Sequence, residues 1–261
     1  MAIVRRAAFV TLQVAGRVLD RAARAAVCLA AGTLPRRELS AAVAARWDGH
    51  AGNEAQILSG LMDWEKKWYP GHLRPEDHVL LVGCGTGRDL IALLRLGYRV
   101  DGLELVPASA ARARAMLVKL GLSAEVITGA VETAPLRGPY DAIVFSWYAY
   151  SYIPSLALRT ATLARLRAVL APGGRVLLSY VATDGPERTL PRRLTALAAS
   201  VCGADWRPEP GDKIWAGDDW RSIHYEHQFQ GGELEREAAA AGLRVASHER
   251  DDDGRAVLTP A

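Results

Sequence analysis

The chain has 261 residues, half of them hydrophobic and 23% charged, with a formal net charge of +3 and three cysteines. That length suffices for one α/β domain with a full core. Cys28, Cys84 and Cys202 lie too far apart for a C-x-x-C pair or a disulfide framework, so a reducing, cytoplasmic setting is expected.

The charge is uneven. Residues 1–37 hold seven arginines and one acid, giving +6, which leaves 25 bases against 28 acids, or −3, over residues 38–261. Nucleic-acid binding depends on phosphate neutralisation, so no nucleic-acid partner is expected for the main part of the chain. Residues 1–37 are therefore set apart as a basic, Ala-rich helical extension, and residues 38–261 as the main domain. Within the extension, residues 3–31 are helix-prone, and Arg17, Arg21 and Arg24 gather on one face. The apolar runs are too short and too often charged to span a bilayer, and no signal-peptide cleavage site follows. Three readings stay open: a helix docked on the main domain or a second subunit, a basic amphipathic helix in peripheral contact with an anionic membrane, and an organellar transit peptide.

Pro35 to Arg37 read as a hinge into a helix over 38–47. A second helix is expected over 53–69, where Trp64 and Trp68, one turn apart, share a face either as core or as an aromatic wall beside a ligand. Residues 79–90, V-L-L-V-G-C-G-T-G-R-D-L, then read as an apolar strand, a glycine-dense turn and a helix opening near Arg88. Such a turn lets a ligand lie against the backbone and offers it the helix N-terminus. The dinucleotide fingerprint requires Gly or Ala where Arg88 stands, which weighs against a nicotinamide or flavin enzyme. A helix over 89–96 stops at Gly97, and a strand over 98–105 carries Glu104 near its end. That is about 20 residues past the first glycine, where a ribose-binding acid belongs.

Helices over 107–120 and 155–170 alternate with strands over 124–128, 141–146 and 175–181, which predicts a parallel sheet covered on both faces. An insertion over 183–230 contains a helix near 186–202, a Pro/Gly/Trp-rich loop and an alternating strand over 222–229. It is expected to act as a lid or acceptor-binding surface. In the strand His224, Glu226 and Gln228 face one side, with Tyr225, His227 and Phe229 on the other; no third ligand joins the two histidines, so no metal is expected. A helix over 233–241 precedes a hairpin of 243–249 and 255–260, turning at 251–254.

The segments V-L-L-V-G-C-G-T-G, V-D-G-L-E-L, T-G-A-V-E-T-A-P-L before Y-D-A-I-V-F-S, and L-A-P-G-G-R-V-L-L together resemble class I S-adenosylmethionine-dependent methyltransferases. R-D-L followed by G-Y-R-V-D-G-L-E also looks like small-molecule members of the thiopurine methyltransferase type. The resemblance implies a Rossmann-like, seven-stranded, mostly parallel sheet with helices on both faces and an antiparallel last strand. It also implies S-adenosyl-L-methionine as cofactor. Gly83, Cys84, Gly85 and Gly87 would then lie along the methionine and ribose, Glu104 would hold the ribose hydroxyls, and Leu105 would flank adenine. The Val131 backbone would address the adenine edge, and Ser146 and Trp147 would sit near the transferred methyl. The chain departs from the family at Leu81, where an acid is common, and at Ala130, where an aspartate often meets adenine; Glu132 is the available substitute. The absence of an N-P-P-Y-like segment at 146–149 weighs against DNA-adenine and protein-glutamine methylases.

The expected function is methyl transfer to a small-molecule O, N or S acceptor. A non-catalytic cofactor-binding subunit is the alternative, followed by a nucleic-acid or lipid methyltransferase using the basic N-terminal helix. Trp64, Trp68, Tyr148, Tyr152 and Tyr225 are the candidate acceptor-site residues, and Tyr148, His224 and His227 the candidate bases.

Overall fold

The computed structural model describes residues 2–48, 52–187, 189–251 and 253–261. Met1 of the expected extension, Arg188 of the expected helix over 186–202 and Asp252 of the expected turn lie outside the described residues. The elements are α1 (Ala2–Thr33), α2 (Arg36–Asp48), α3 (Glu54–Ile57), α4 (Asp63–His72), β1 (His78–Val82), α5 (Arg88–Arg95), β2 (Arg99–Glu104), α6 (Pro107–Leu120), β3 (Val126–Thr128) and β4 (Tyr140–Phe145). After a 3-10 turn at Ala149–Tyr152 come α7 (Leu156–Arg167), β5 (Leu170–Tyr180), α8 (Thr189–Val201), β6 (Asp212–Ala216), β7 (Ile223–His227), α9 (Glu233–Ala240), β8 (Leu243–Arg250) and β9 (Gly254–Pro260). They form two compact units: Met1–Val43 with Pro186–Tyr225, and Ala44–Gly185 with Glu226–Ala261.

The larger unit is built on a seven-stranded sheet in the order β3-β2-β1-β4-β5-β9-β8. β1 to β5 pair in parallel, and β9 runs antiparallel to both β5 and β8. Alternation along each strand divides the apolar residues between two cores. Val79 and Leu81 of β1 enter one core with Leu90, Ile91 and Leu93 of α5, whereas Leu80 and Val82 enter the other with Ile143, Phe145 and Val176. A strand with both faces buried has to be apolar at every position, as β1 nearly is. Left-handed glycines end the covering helices where the chain must turn back into the sheet, Gly97 after α5 and Gly121 after α6.

The expected single helix over 53–69 is instead two. Asn53 caps the four-residue α3 through a reciprocal pair with Gln56, and the chain breaks at Gly60, whose φ is +81°. α4 then starts afresh, with Glu65 accepting from the Met62 amide at 2.6 Å, and it continues through Pro70 to His72. The Pro/Gly/Trp-rich loop also holds an unforeseen strand, β6, which pairs with β7.

In the smaller unit the N-terminal segment and the insertion share one core. Ala31, Leu39, Val43, Ala199, Trp206 and Tyr225 are buried together, and the Trp206 indole donates to the Leu34 carbonyl at 2.8 Å. The close approach of α1 to α8 depends on Gly32: a Cβ there would lie 2.3 Å from the Thr195 carbonyl oxygen and 2.8 Å from the Ala198 Cβ. No helix among the described residues is long and apolar enough to cross a membrane.

Two glycine substitutions in α1 should therefore act in opposite directions. Gly32→Val forces the helices apart and should cost about 1–3 kcal/mol. Gly16→Ala meets nothing within 4 Å and should gain about 0.5–1 kcal/mol from helix propensity. Melting temperatures of the two variants check this; equal shifts would show that α1 does not seat on α8.

Candidate functional site

The turn after β1 is shaped by three left-handed glycines, Gly83 (φ +75°), Gly85 (φ +55°) and Gly87 (φ +103°). It is held against the end of β2, since the amides of Gly83 and Cys84 donate to the Leu103 carbonyl at 2.8 and 3.2 Å. The Glu104 carboxylate completes the tie by accepting from the Gly85 amide at 2.8 Å and the Val106 amide at 2.9 Å. Burial raises the Glu104 pKa, and these backbone donors oppose the rise. A Cβ on Gly83 would lie 3.0 Å from the Ala149 Cβ, whereas one on Gly85 would meet nothing within 4 Å. Open space therefore adjoins the turn at Gly85.

Behind the turn lies a buried acidic cluster. Asp89, in the first turn of α5, accepts from the Ser146 hydroxyl at the end of β4. The Arg88 guanidinium lies 2.6 Å from Asp89 and 2.7 Å from Glu65 of α4. Two buried carboxylates thus share one arginine. Burial, followed by the Asp89 charge, pushes the Glu65 pKa up to about 7, and burial also raises that of Asp89. The Tyr69 hydroxyl is buried with no hydrogen-bond partner among the described residues, and burial followed by the charges of Asp89 and Glu65 holds its pKa well above 10. Sequence reasoning missed Glu65 and Arg88 as site residues. Glu65 stands three and four positions before the buried Trp68 and Tyr69, so helical spacing alone turned it inward.

The expected cofactor residues are gathered at the carboxyl ends of β1 to β4: Gly83, Cys84, Gly85 and Gly87 after β1, Glu104 and Leu105 at β2, Ala130 and Val131 after β3, and Ser146 and Trp147 after β4. Leu105 and Trp147 are exposed, Val131 is buried, and burial raises the pKa of Glu132 beside it. Trp147 and Tyr148 adopt φ of +34° and +62°, which side chains with a Cβ rarely take. The Ser179 hydroxyl holds that bend by accepting from the Tyr148 amide at 2.9 Å.

The candidate acceptor residues separate. The Trp64 and Tyr148 rings stack with centroids 6.4 Å apart, and Arg255 lies over Trp64 at 5.9 Å. Trp68 is buried against Tyr69 and His72 as part of the core. Tyr152 packs on Trp47. Tyr225 is buried in the smaller unit and donates to Asp212 at 2.7 Å.

The candidate bases fare likewise. The Tyr148 hydroxyl donates to Asp253 at 2.5 Å, and burial together with that carboxylate pushes its pKa up, so the phenol stays protonated at neutral pH. His224 stacks on Trp215 at 3.8 Å. His227 is buried and paired with Glu233 at 2.8 Å, within a network that joins Arg159, Glu237 and Tyr150.

Residues 79–174 match the methyltransferase domain family. The chain is 33% identical over 137 residues to the ribosomal protein L11 methyltransferase of Thermus thermophilus, covering 52% of this chain and 48% of that protein. It spans about half the length of the curated relatives it matches. Among solved structures, a S-adenosylmethionine-dependent methyltransferase of Methanosarcina mazei superposes with a TM-score of 0.60 at 16% identity, over 77% of this chain and 98% of that one. The glycopeptide N-methyltransferase MtfA, solved with S-adenosyl-L-methionine, superposes with a TM-score of 0.56 at 19% identity, over 76% and 86%. At these identities the structures establish the fold.

The buried cluster has a measurable consequence. Glu65 holds its proton more tightly in the folded chain, so folding takes up protons between its ordinary 4.5 and about 7, and stability falls as pH rises through that window. Glu65→Gln removes this contribution. Thermal melts from pH 4.5 to 7 should show the variant gaining on the parent as pH rises; parallel curves would place the titration elsewhere.

Proposed function

We propose that this chain, whose residues 79–174 are a methyltransferase domain carried on the class I methyltransferase fold, transfers a methyl group from S-adenosyl-L-methionine to a small-molecule O, N or S acceptor. The observation that carries this reading is the open space at Gly85 beside a carboxylate anchored at the end of β2. The bound cofactor supplies a methyl already activated by its sulfonium.

In this reading the chain positions and shields. Gly83, Cys84, Gly85 and Gly87 present backbone along the ligand. Each oxygen of Glu104 already accepts one amide, and a carboxylate oxygen has two acceptor sites, so capacity remains for the ribose hydroxyls. Leu105 flanks adenine, and Ala130 and Val131 lie along its edge, with Glu132 as the nearby acid. Glu65 and Asp89 with their single arginine offer a carboxylate excess that complements a cationic donor. Ser146 and Trp147 stand nearest the reacting methyl. Trp64 and Tyr148 form the aromatic wall on which the acceptor is held in line, and that alignment, with exclusion of water, is the main catalytic demand. A base is required only when the acceptor is an alcohol, a phenol or an ammonium group.

A small acceptor fits this wall and the −3 balance of residues 38–261. The finer likeness to thiopurine methyltransferases rests on residues 88–104 alone. A protein acceptor is the competing reading, favoured by the activity named for the Thermus thermophilus relative.

Calorimetric titration tests the site. Glu104→Gln should weaken S-adenosyl-L-methionine binding about tenfold or more, because a charge-assisted hydrogen bond is replaced by a neutral one. Gly85→Val should weaken it further by filling the ligand's space. Unchanged affinity in both variants would move the site elsewhere. Transfer of labelled methyl to a panel of small amines, phenols and thiols should exceed transfer to ribosomal protein; the reverse would make the acceptor a protein.

A further inference from the structure

The first part of α1 has properties that methyl transfer does not use. Residues 5–24 are all exposed, although the helix continues unbroken to Thr33. Twenty residues of helix are about 30 Å long. Along this length Arg6, Gln13, Arg17, Asp20 and Arg24 recur at helical spacing as one polar stripe. Thr11, Val14, Val18 and Ala22 form another, flanked by Leu12 and Leu19. The apolar residues stand in water: Leu12 is 72% exposed, Leu19 69%, Val18 58% and Val14 54%. Five arginines face a single acid, Asp20, which pairs with Arg24 at 3.0 Å.

We propose that residues 5–24 dock on an anionic lipid surface, lying in its interface with Val14, Val18, Leu12 and Leu19 inserted and the arginine stripe among the headgroups. The combination of features selects this occupant. A nucleic acid would satisfy the arginines through its phosphates but would leave the apolar stripe in water. A second copy of the helix would cover the apolar stripe but would leave the arginine stripe, on another face, without an anionic partner. An anionic interface answers both, since acyl chains take the apolar face and each nearby arginine adds about a fivefold gain in partitioning. Arg21, beside the Val14 and Val18 stripe, has a stem long enough to carry its charge to the headgroups. The helix is not apolar enough to cross the bilayer, so it lies on the surface.

The test uses the full chain and two vesicle compositions, phosphatidylcholine alone and phosphatidylcholine with one third phosphatidylglycerol, followed by sedimentation. The chain should prefer the anionic vesicles by about tenfold or more, and the preference should shrink as salt is raised from about 0.1 M to about 0.5 M. Replacing Val14, Val18 and Leu19 together with Gln, which keeps helix propensity, should abolish vesicle binding. Replacing Arg6 and Arg17 with Gln should remove most of the anionic preference. Both variants should keep the parent's far-ultraviolet dichroism and its affinity for S-adenosyl-L-homocysteine, which separates a lost surface from a lost fold. The proposal is overturned if the parent binds neither vesicle, binds both equally, or binds unchanged after the triple replacement. It is equally overturned if the parent is a dimer that the triple variant dissolves while vesicles go unbound, or if it holds duplex DNA and not vesicles.

Discussion

The larger unit depends on one bridging carboxylate. Glu104 stands at the end of β2 and accepts from the Gly85 amide on one oxygen and the Val106 amide on the other. Through the first bond it fixes the turn between β1 and α5, and through the second it fixes the entry to α6. A buried carboxylate is costly unless its oxygens are occupied, and burial does raise the Glu104 pKa. The backbone donors offset that cost, and the left-handed φ of Gly85 lets its amide turn toward the acid.

A second tier supports the first. Ser146 joins β4 to α5 through Asp89, and Arg88 joins α5 to α4 through Glu65, so elements distant in sequence meet behind the turn. Removing Arg88 would leave two buried carboxylates without a counter-charge, which is far more damaging than the net worth of either pair. Across the sheet, Tyr150, Arg159 and Glu237 tie the 3-10 turn after β4 to α7 and α9. That anchors the segment just beyond the strained residues Trp147 and Tyr148. The segment from Trp147 to Tyr150 is thus held by hydrogen bonds to Ser179 of β5, Asp253 of the β8–β9 turn and Glu237 of α9.

Much of this was legible in the sequence because it is local. The alternation of apolar strands with helices, the glycines at alternate positions, the acid about 20 residues on and the closing hairpin follow from spacing, whereas the order of the strands in the sheet came only from the structure. What could not be read depends on partners far along the chain. The break between α3 and α4 is a local exception, made by the left-handed Gly60 and by Glu65 capping the chain again at Met62, and a run of helix-prone residues hides it. β6 is built from a Pro/Gly/Trp-rich stretch because β7 supplies its ladder. Nothing in the sequence singles out Gly32, whose need for a bare Cα arises only where α8 lies against it. His227 reads as a candidate base, and only the fold brings Glu233 to it and closes the core around it.

The proposed function requires Glu104 and the glycine turn to form the floor of a nucleoside site. A crystal structure with S-adenosyl-L-homocysteine tests it most directly. Density for the ligand is expected over residues 83–87, with both ribose hydroxyls within hydrogen-bonding distance of the Glu104 carboxylate and no displacement of its bonds to Gly85 and Val106. A ligand bound away from the ends of β1 and β2, or a Glu104 carboxylate facing only its own backbone partners, would contradict it.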